Sequence, residues 1–185
     1  MMWDDEAGIG TIEDILNAAE CAEHIDRSER AGFGAAPIIT AFGEAIVSDV
    51  RNNSRVMIDD VALAARIWER ASEHVPIFLD GRQAIAMNER FRYYRYRPGQ
   101  RFDWHADAPF RRANGEISQL SFIIYLNDDF SGGETTVMDK VIKPRRGMAL
   151  LFLHELLHEG GAVKAGTKYV MRTDVMYGRV GETRG

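Results

Sequence analysis

Cysteine is almost absent from this chain. Of 185 residues only Cys21 carries a thiol, so one chain cannot form a disulfide, a thiolate zinc finger or an iron–sulfur cluster. A reducing compartment is the natural expectation. Long hydrophobic runs are missing too. The longest, 148–153, suits a buried strand and falls far short of the roughly 20 residues that cross a bilayer. The start, Met1-Met2-Trp3-Asp4-Asp5-Glu6, is acidic where a signal peptide would be basic. The expectation is a cytoplasmic protein with no membrane partner. Positive charge is in deficit, since 23 Lys and Arg face 28 Asp and Glu for a net charge of -5. That disfavours nucleic acid as a general partner.

What is present divides into two halves. The first carries helical signals. Thr11 with Asp14 resembles a capping box ahead of Ile12, Ile15, Leu16 and Ala19. Asp59 and Asp60 can cap a second helix whose apolar stripe is Val61, Ala64, Ala65, Trp68 and Ala71, before Pro76. A short strand is expected within 31–47. The second half reads as strands at 84–87, 91–97, 119–126, 134–138, 148–153 and 168–177. They are separated by Pro98-Gly99, Asn114-Gly115, Asn127-Asp128, Gly132-Gly133 and Gly160-Gly161. This density of short strands predicts a mainly β sandwich, barrel or jelly roll with helices packed outside.

Two motifs compete for a metal. His154-Glu155-Leu156-Leu157-His158 matches H-E-x-x-H, in which two histidines a helical turn apart bind zinc and Glu activates water. Gly161 also fits the longer pattern, but Lys164 stands where the third histidine belongs, which leaves a distant carboxylate such as Glu182 as the missing ligand. The strand-like run before His154 and the glycines after it leave little room for the helix this chemistry needs. The other motif is His105-Ala106-Asp107. Side chains two apart on an extended segment share a face. Joined by His158, they make the two-His-one-carboxylate facial triad of non-haem Fe(II) oxygenases. Three protein ligands on one face of an octahedral ion leave three positions, two for a 2-oxo acid and one for dioxygen. Lys168, ten residues after His158, opens a returning strand and would sit deep in the same pocket, where a buried cation needs an anion. The far carboxylate of 2-oxoglutarate would supply it. Arg172 shares the Lys168 face and is the second anchor, or a substrate contact.

The run from Tyr94 through Arg-Tyr-Arg-Pro-Gly-Gln-Arg-Phe-Asp-Trp-His-Ala to Asp107 resembles the Y-x-x-G-Q-x-[FY]-x-x-H-x-D signature of prolyl 4-hydroxylase-like Fe(II)/2-oxoglutarate dioxygenases. Ser121–Thr135 resembles that family's Y-L-N-x-x-[FY]-x-G-G-E-T block. Pro144-Arg-Arg-Gly147, Ala149-Leu-Leu-Phe152, His158-Glu-Gly160 and Gly166-Thr-Lys168 follow in order. The resemblance implies a double-stranded β-helix (a jelly roll) over 84–178. Residues 1–83 form its helical and β support, within a single domain of 1–185. It implies that His105, Asp107 and His158 bind Fe(II) and that Lys168 pairs with the 5-carboxylate of 2-oxoglutarate. Tyr96, or Tyr94 as second choice, would help to hold that cosubstrate. The implied reaction couples decarboxylation of 2-oxoglutarate, giving succinate and CO₂, to hydroxylation of an unactivated C–H bond. The cofactor set is Fe(II), 2-oxoglutarate and O₂, with ascorbate an open addition.

Substrate is not written in these residues. A prolyl, amino-acid, peptide or small-molecule substrate fits, and oligomeric state is open. Residues 108–115 are a candidate lid. Seven arginines fall within 90–112, interleaved with aromatics. They could face nucleic acid, but they read better as the solvated side of a strand. The alternatives kept open are the H-E-x-x-H zinc protease and a non-catalytic metal-binding or oxygen-sensing module of the same fold.

Overall fold

A computed structural model describes residues 3–40 and 43–179. Alternation sets its frame. Strand Ile117–Tyr125 turns Leu120, Phe122 and Ile124 to one apolar core and Ser121, Ile123 and Tyr125 to the other side, as a period of two demands. Strand Arg90–Tyr96 places Phe91 and Tyr93 in the first core and Tyr94 and Tyr96 in the second. Strand Lys168–Arg179 gives Met171, Val175 and Tyr177 to the first and Val170 to the second.

These strands lie in a nine-stranded antiparallel sheet. Its main path runs Ile9–Ile12, Ala149–Leu153, Ile117–Tyr125, Lys168–Arg179, Arg90–Tyr96, Ser54–Asp59, Gly34–Ala35, with Arg82–Met87 on the far end of Lys168–Arg179. A second sheet orders Lys140–Ile142, Thr135–Val137, His158–Gly160 and Phe102–His105. Val137 and partly buried Phe102 from this sheet pack with Tyr94, Tyr125, Leu150 and Phe152 from the large one. Two antiparallel sheets thus enclose an inner core in the jelly-roll arrangement that the sequence predicts.

The two helices join the other core, on the outer face of the large sheet. Helix α1 (Ala18–Ala31) begins at Asn17, whose side chain accepts from Glu20 N–H while the Glu20 carboxylate accepts from Asn17 N–H. This reciprocal cap lies six residues beyond the expected Thr11, because Ile9–Ile12 pairs with Ala149–Leu153 as a sheet edge. Helix α2 (Val61–Ala71) starts at Asp60 as expected, but its buried face is Leu63, Ala64, Ile67 and Ala71, while Val61 is exposed. Sequence periodicity tolerates that rotation, since a stripe through Val61 and Ala65 is as regular as one through Leu63 and Ile67. The helix stops at Ala71, and a 3₁₀ turn over Ser72–His74 precedes Pro76. The strand expected within 31–47 is three short ones, Gly34–Ala35, Ile38–Thr40 and Gly43–Ala45, with residues 41–42 outside the described residues. No helix among the described residues is long and apolar enough to cross a membrane.

Two glycines are dictated by close approach. Gly147 has φ +82°, and a Cβ there would come within 2.1 Å of the Leu16 carbonyl oxygen. Gly132, at φ +69°, would meet the Ala162 carbonyl oxygen at 2.5 Å. Any larger residue would force apart segments that pass backbone against side.

Candidate metal centre

Strand pairing brings distant residues together. His158 stands directly across the ladder from His105, so their side chains project together, and their ring centroids are 4.1 Å apart. Asp107 follows two residues on, fixed by its N–H to the His154 carbonyl at 2.8 Å. One ligand atom from each of His105, Asp107 and His158 lies within 4.8 Å of the other two. His158 Nε2 is 3.4 Å from Asp107 Oδ2, and His105 Nε2 is 4.0 Å from Asp107 Oδ1. An ion with bonds of about 2.1 Å holds adjacent ligand atoms roughly 3 Å apart, so these groups are close to embracing one.

The hydrogen bonds around the rings fit that use. His105 Nδ1 contacts the Asp103 carbonyl at 2.7 Å, and His158 Nδ1 contacts the Leu156 carbonyl at 2.9 Å. A carbonyl only accepts, so each Nδ1 carries the hydrogen and each Nε2 keeps its lone pair toward the centre. Burial lowers the His105 pKa to about 4 and pushes His158 down as well, so both rings are neutral at pH 7. For Asp107, burial favours the acid form. The opposing pull of the Arg172 guanidinium and the Ser121 hydroxyl is stronger and holds the carboxyl well below the usual range. Two neutral imidazoles and one carboxylate suit a divalent first-row ion.

Lys168 lies in the same cavity, along with Tyr96, Thr135, His158 and Arg172. Its register partner is Tyr96. The residue is 2% exposed, and its ammonium donates to the Gly133 carbonyl at 2.7 Å and sits 5.3 Å and 5.5 Å from the ring centres of Tyr96 and Tyr125. Burial lowers its pKa to about 7, with only Glu134 opposing. An ammonium has three donors, and one carbonyl does not meet its need for a counter-charge. Arg172 is placed differently from Lys168. Its Nη2 lies 3.0 Å from Asp107 Oδ2 and 3.0 Å from Asp174 Oδ1, while its Nε is buried without a partner. Tyr96 is buried, and burial raises its phenol to about 12. Tyr94, the alternative, faces the same cavity and is drawn down by Arg51 and Arg172 against the effect of burial.

H-E-x-x-H is not a helical motif here. Strand Ala149–Leu153 ends before it, a turn holds 154–157, and His158 opens the next strand. His154 is buried, and both of its nitrogens are occupied by hydroxyls, Nδ1 by Ser121 at 2.9 Å and Nε2 by Ser118 at 2.8 Å. Burial lowers its pKa to about 4. Glu155 is exposed, and Glu182 lies outside the described residues. The zinc-protease arrangement is therefore not formed.

The arginine run is largely neutralised: Arg90 pairs with Asp59, Arg92 with Asp174, Arg95 with Glu29, and Arg112 with Glu89 and Glu116. Segment 108–115 is tied down by Phe110 N–H to Ser118 Oγ at 2.8 Å and by those Arg112 contacts.

Sequence reasoning missed Arg51, whose guanidinium lies 4.6 Å from the ring centre of Tyr94 and 4.1 Å from that of Phe102. It also missed Ser121 and Tyr125. No spacing links Arg51 to residues 43 and more positions away. Ser121 is an unremarkable strand serine until its partners are known.

A sequence model of the 2OG-Fe(II) oxygenase superfamily matches residues 91–173. The segment is similar to that superfamily. Its bounds take in all three candidate ligands and Lys168. Comparison with curated proteins returns no significant match. Among solved structures the oxygenase fold recurs over nearly the whole chain. The viral collagen prolyl hydroxylase of Paramecium Bursaria Chlorella virus-1, solved as a 2OG complex, superposes with TM-score 0.65 at 18% identity, covering 93% of this chain and 97% of that one. A Pseudomonas putida prolyl-4-hydroxylase gives 0.65 at 18%, covering 91% and 92%. A Trichoplax adhaerens prolyl hydroxylase, in complex with a hypoxia inducible factor peptide fragment, gives 0.67 at 18%, covering 91% and 83%. At such identities the likeness is one of fold.

Proposed function

We propose that this protein is an Fe(II)- and 2-oxoglutarate-dependent dioxygenase that hydroxylates an unactivated C–H bond of an amino acid, peptide or small molecule. The observation that carries this reading is one cavity lined by His105, His158 and the buried Lys168, with Asp107 beside both imidazoles. Ferrous ion with 2-oxoglutarate and O₂ supplies the C–H oxidation, and succinate and CO₂ leave. The chain's own part is to bind, orient and dry the site. His105 and His158 present neutral Nε2 atoms, and Arg172 keeps Asp107 ionised. Lys168 pairs with the distal carboxylate of 2-oxoglutarate, while Tyr96 and Arg172 face the same cosubstrate. The aromatic and aliphatic walls exclude water, which strengthens each of these charge contacts. Exposed Trp104 and Phe110 flank the His105–Asp107 segment and offer apolar surface to a substrate at the mouth. The prolyl hydroxylases of similar fold make a prolyl residue in a peptide one substrate to try first.

Anaerobic titration of the protein with Fe(II) and 2-oxoglutarate tests this directly. A weak visible metal-to-ligand band is expected, and it should vanish in His105→Ala and Asp107→Ala but persist in Glu155→Gln. Absence of the band from the wild-type protein would refute the assignment. A metal-binding module without turnover would give iron binding but no succinate with any candidate substrate.

A further inference from the structure

The histidine left over from H-E-x-x-H stands at the middle of a directional hydrogen-bond chain. Asp107 Oδ2 is a carboxylate oxygen and can only accept, so the 2.5 Å contact with Ser121 Oγ uses the serine hydrogen. Ser121 Oγ must then accept at its remaining contacts, from His154 Nδ1 at 2.9 Å and from Arg172 Nη2 at 3.2 Å. That fixes the His154 tautomer with its hydrogen on Nδ1. His154 Nε2 therefore accepts from Ser118 Oγ at 2.8 Å, and Ser118 Oγ in turn accepts the Phe110 backbone N–H at 2.8 Å. Every donor points one way, from the 108–115 segment toward the carboxylate. The serines and His154 are buried, so no water competes, and neither serine hydroxyl has a spare hydrogen.

We infer that His154 and Ser121 are positioning residues for the metal-binding carboxylate. Together with Arg172, whose Nη2 lies 3.0 Å from the same oxygen, they hold Asp107 Oδ2 in place, and no hydrogen bond to Oδ1 is found among the described residues. This rests on the ferrous-site reading above. A carboxylate pinned at one oxygen presents the other to an ion with little freedom to rotate. Outer partners of this kind, when removed, typically weaken metal affinity about 10–100-fold. Ser118 and the Phe110 amide extend the same chain and orient the imidazole.

Cobalt(II) binding to the metal-free protein tests the inference without any turnover, by isothermal titration and by the ligand-field absorption of the bound ion. Ser121→Ala should weaken Co(II) binding about 10–100-fold and shift the absorption envelope. His154→Ala should do the same to a lesser degree. The double variant should match Ser121→Ala alone, because His154 acts through that hydroxyl. The sharper comparison is His154→Asn against His154→Gln. An Asn amide places a donor where Nδ1 was and should keep near-wild-type binding and spectrum, whereas Gln reaches only toward the Nε2 position and should behave like Ala. Thermal melts accompany each variant. Should Ser121→Ala fail to fold, Ser121→Thr, which retains the hydroxyl and should bind like wild type, joins the Asn and Gln pair in carrying the test. Ser121→Ala and His154→Ala proteins that bind Co(II) within twofold of wild type, or Asn and Gln behaving alike, would overturn the relay while leaving the ferrous site intact. A wild-type protein that binds no Co(II) would overturn both.

Discussion

The two faces of the large sheet are made from the same strands and differ in almost everything else. Toward the helices, Leu120, Phe122, Ile124, Met171 and Val175 pack with no ionised group among them. Toward the small sheet, the intervening positions are Ser121, Lys168 and Asp174, buried just as deeply, and the part-buried Arg172. Alternation alone makes this possible, since a period of two lets one strand serve a dry apolar core and a charged cavity at once. The apolar face gains stability from burial in any environment. The charged face is stable only while each ion finds a partner, and Lys168, with one carbonyl and no carboxylate in contact, is where that requirement is least met.

The contrast can be broken most severely at Asp107. Asp107→Ala removes a proposed ligand as well as one of the two carboxylates beside Arg172, so Fe(II) or Co(II) affinity should fall by more than about a hundredfold, beyond the usual outer-sphere loss. Titration of the metal-free protein reads it. The matching lesion on the other face is Leu120→Ala. It should cost about 2–5 kcal/mol of stability as a cavity in a closed core, measured by urea denaturation, while Co(II) affinity of the folded protein stays at the wild-type value. If that variant weakened metal binding as well, the two faces would not be independent.

Lys168→Met keeps bulk and removes charge. Affinity for 2-oxoglutarate should drop roughly 10–100-fold, the worth of about 1.5–3 kcal/mol for a hydrogen bond to a charged group, with metal affinity unchanged. The same residue gives a pH signature. Burial leaves the free ammonium with a pKa of about 7, and a bound carboxylate raises it. Above pH 7 the free protein lacks the proton that the complex holds, so binding takes up one proton and affinity falls up to about tenfold per pH unit. Below pH 7 the dependence flattens, because lysine is already charged in both states. Calorimetric titration in two buffers of different ionisation enthalpy would count that proton, and a count of zero at pH 8 would contradict the pairing.

How far the sequence foretold each face follows from the same logic. The candidate metal triad was legible because His105, Asp107 and His158 fall in motifs whose order and separation are unusual. Lys168 was legible because it opens a strand after a glycine turn. The longer strands from 84 onward were legible from alternation and turn residues, whereas Phe102–His105, Lys140–Ile142, His158–Gly160 and Val163–Ala165 were not among those expected, being too short to show a period. The edge strand Ile9–Ile12 was not, because Ile12, Ile15 and Leu16 are equally compatible with a helix, and only pairing with Ala149–Leu153 decides between them. Strand Ser54–Asp59 was missed because its residues are half-exposed or exposed and its apolar ones, Val56, Met57 and Ile58, are consecutive rather than alternating, so no period of two marks it. His154 was misleading for a different reason. A histidine spaced four residues from another looks like a ligand, and only the serines at both its nitrogens show otherwise. Arg51 was invisible because its partners are aromatic faces brought near by folding.

The smallest effect should come from a pair of charges on the outer reach of the same strand. Arg90 donates from Nε and Nη2 to the Asp59 carboxylate at 3.0 Å and 3.1 Å, in the fork geometry that favours this pairing. Two residues along, Arg92 makes a similar contact with Asp174 at 3.1 Å. Geometry alone would rank the forked outer pair above this single contact. Their surroundings do not, since the Arg90 and Asp59 side chains are 44% and 55% exposed, and Asp174 is 3% exposed. Water already solvates both members of the outer pair when they are apart. Arg90→Ala should therefore change stability by less than about 1 kcal/mol, and high salt should erase the difference. Arg92→Ala leaves a buried carboxylate with Arg172 as its remaining cation and should cost clearly more, with little response to salt. Urea denaturation of both variants at low and high ionic strength compares them, and equal losses would mean that burial is not what separates the site from the surface.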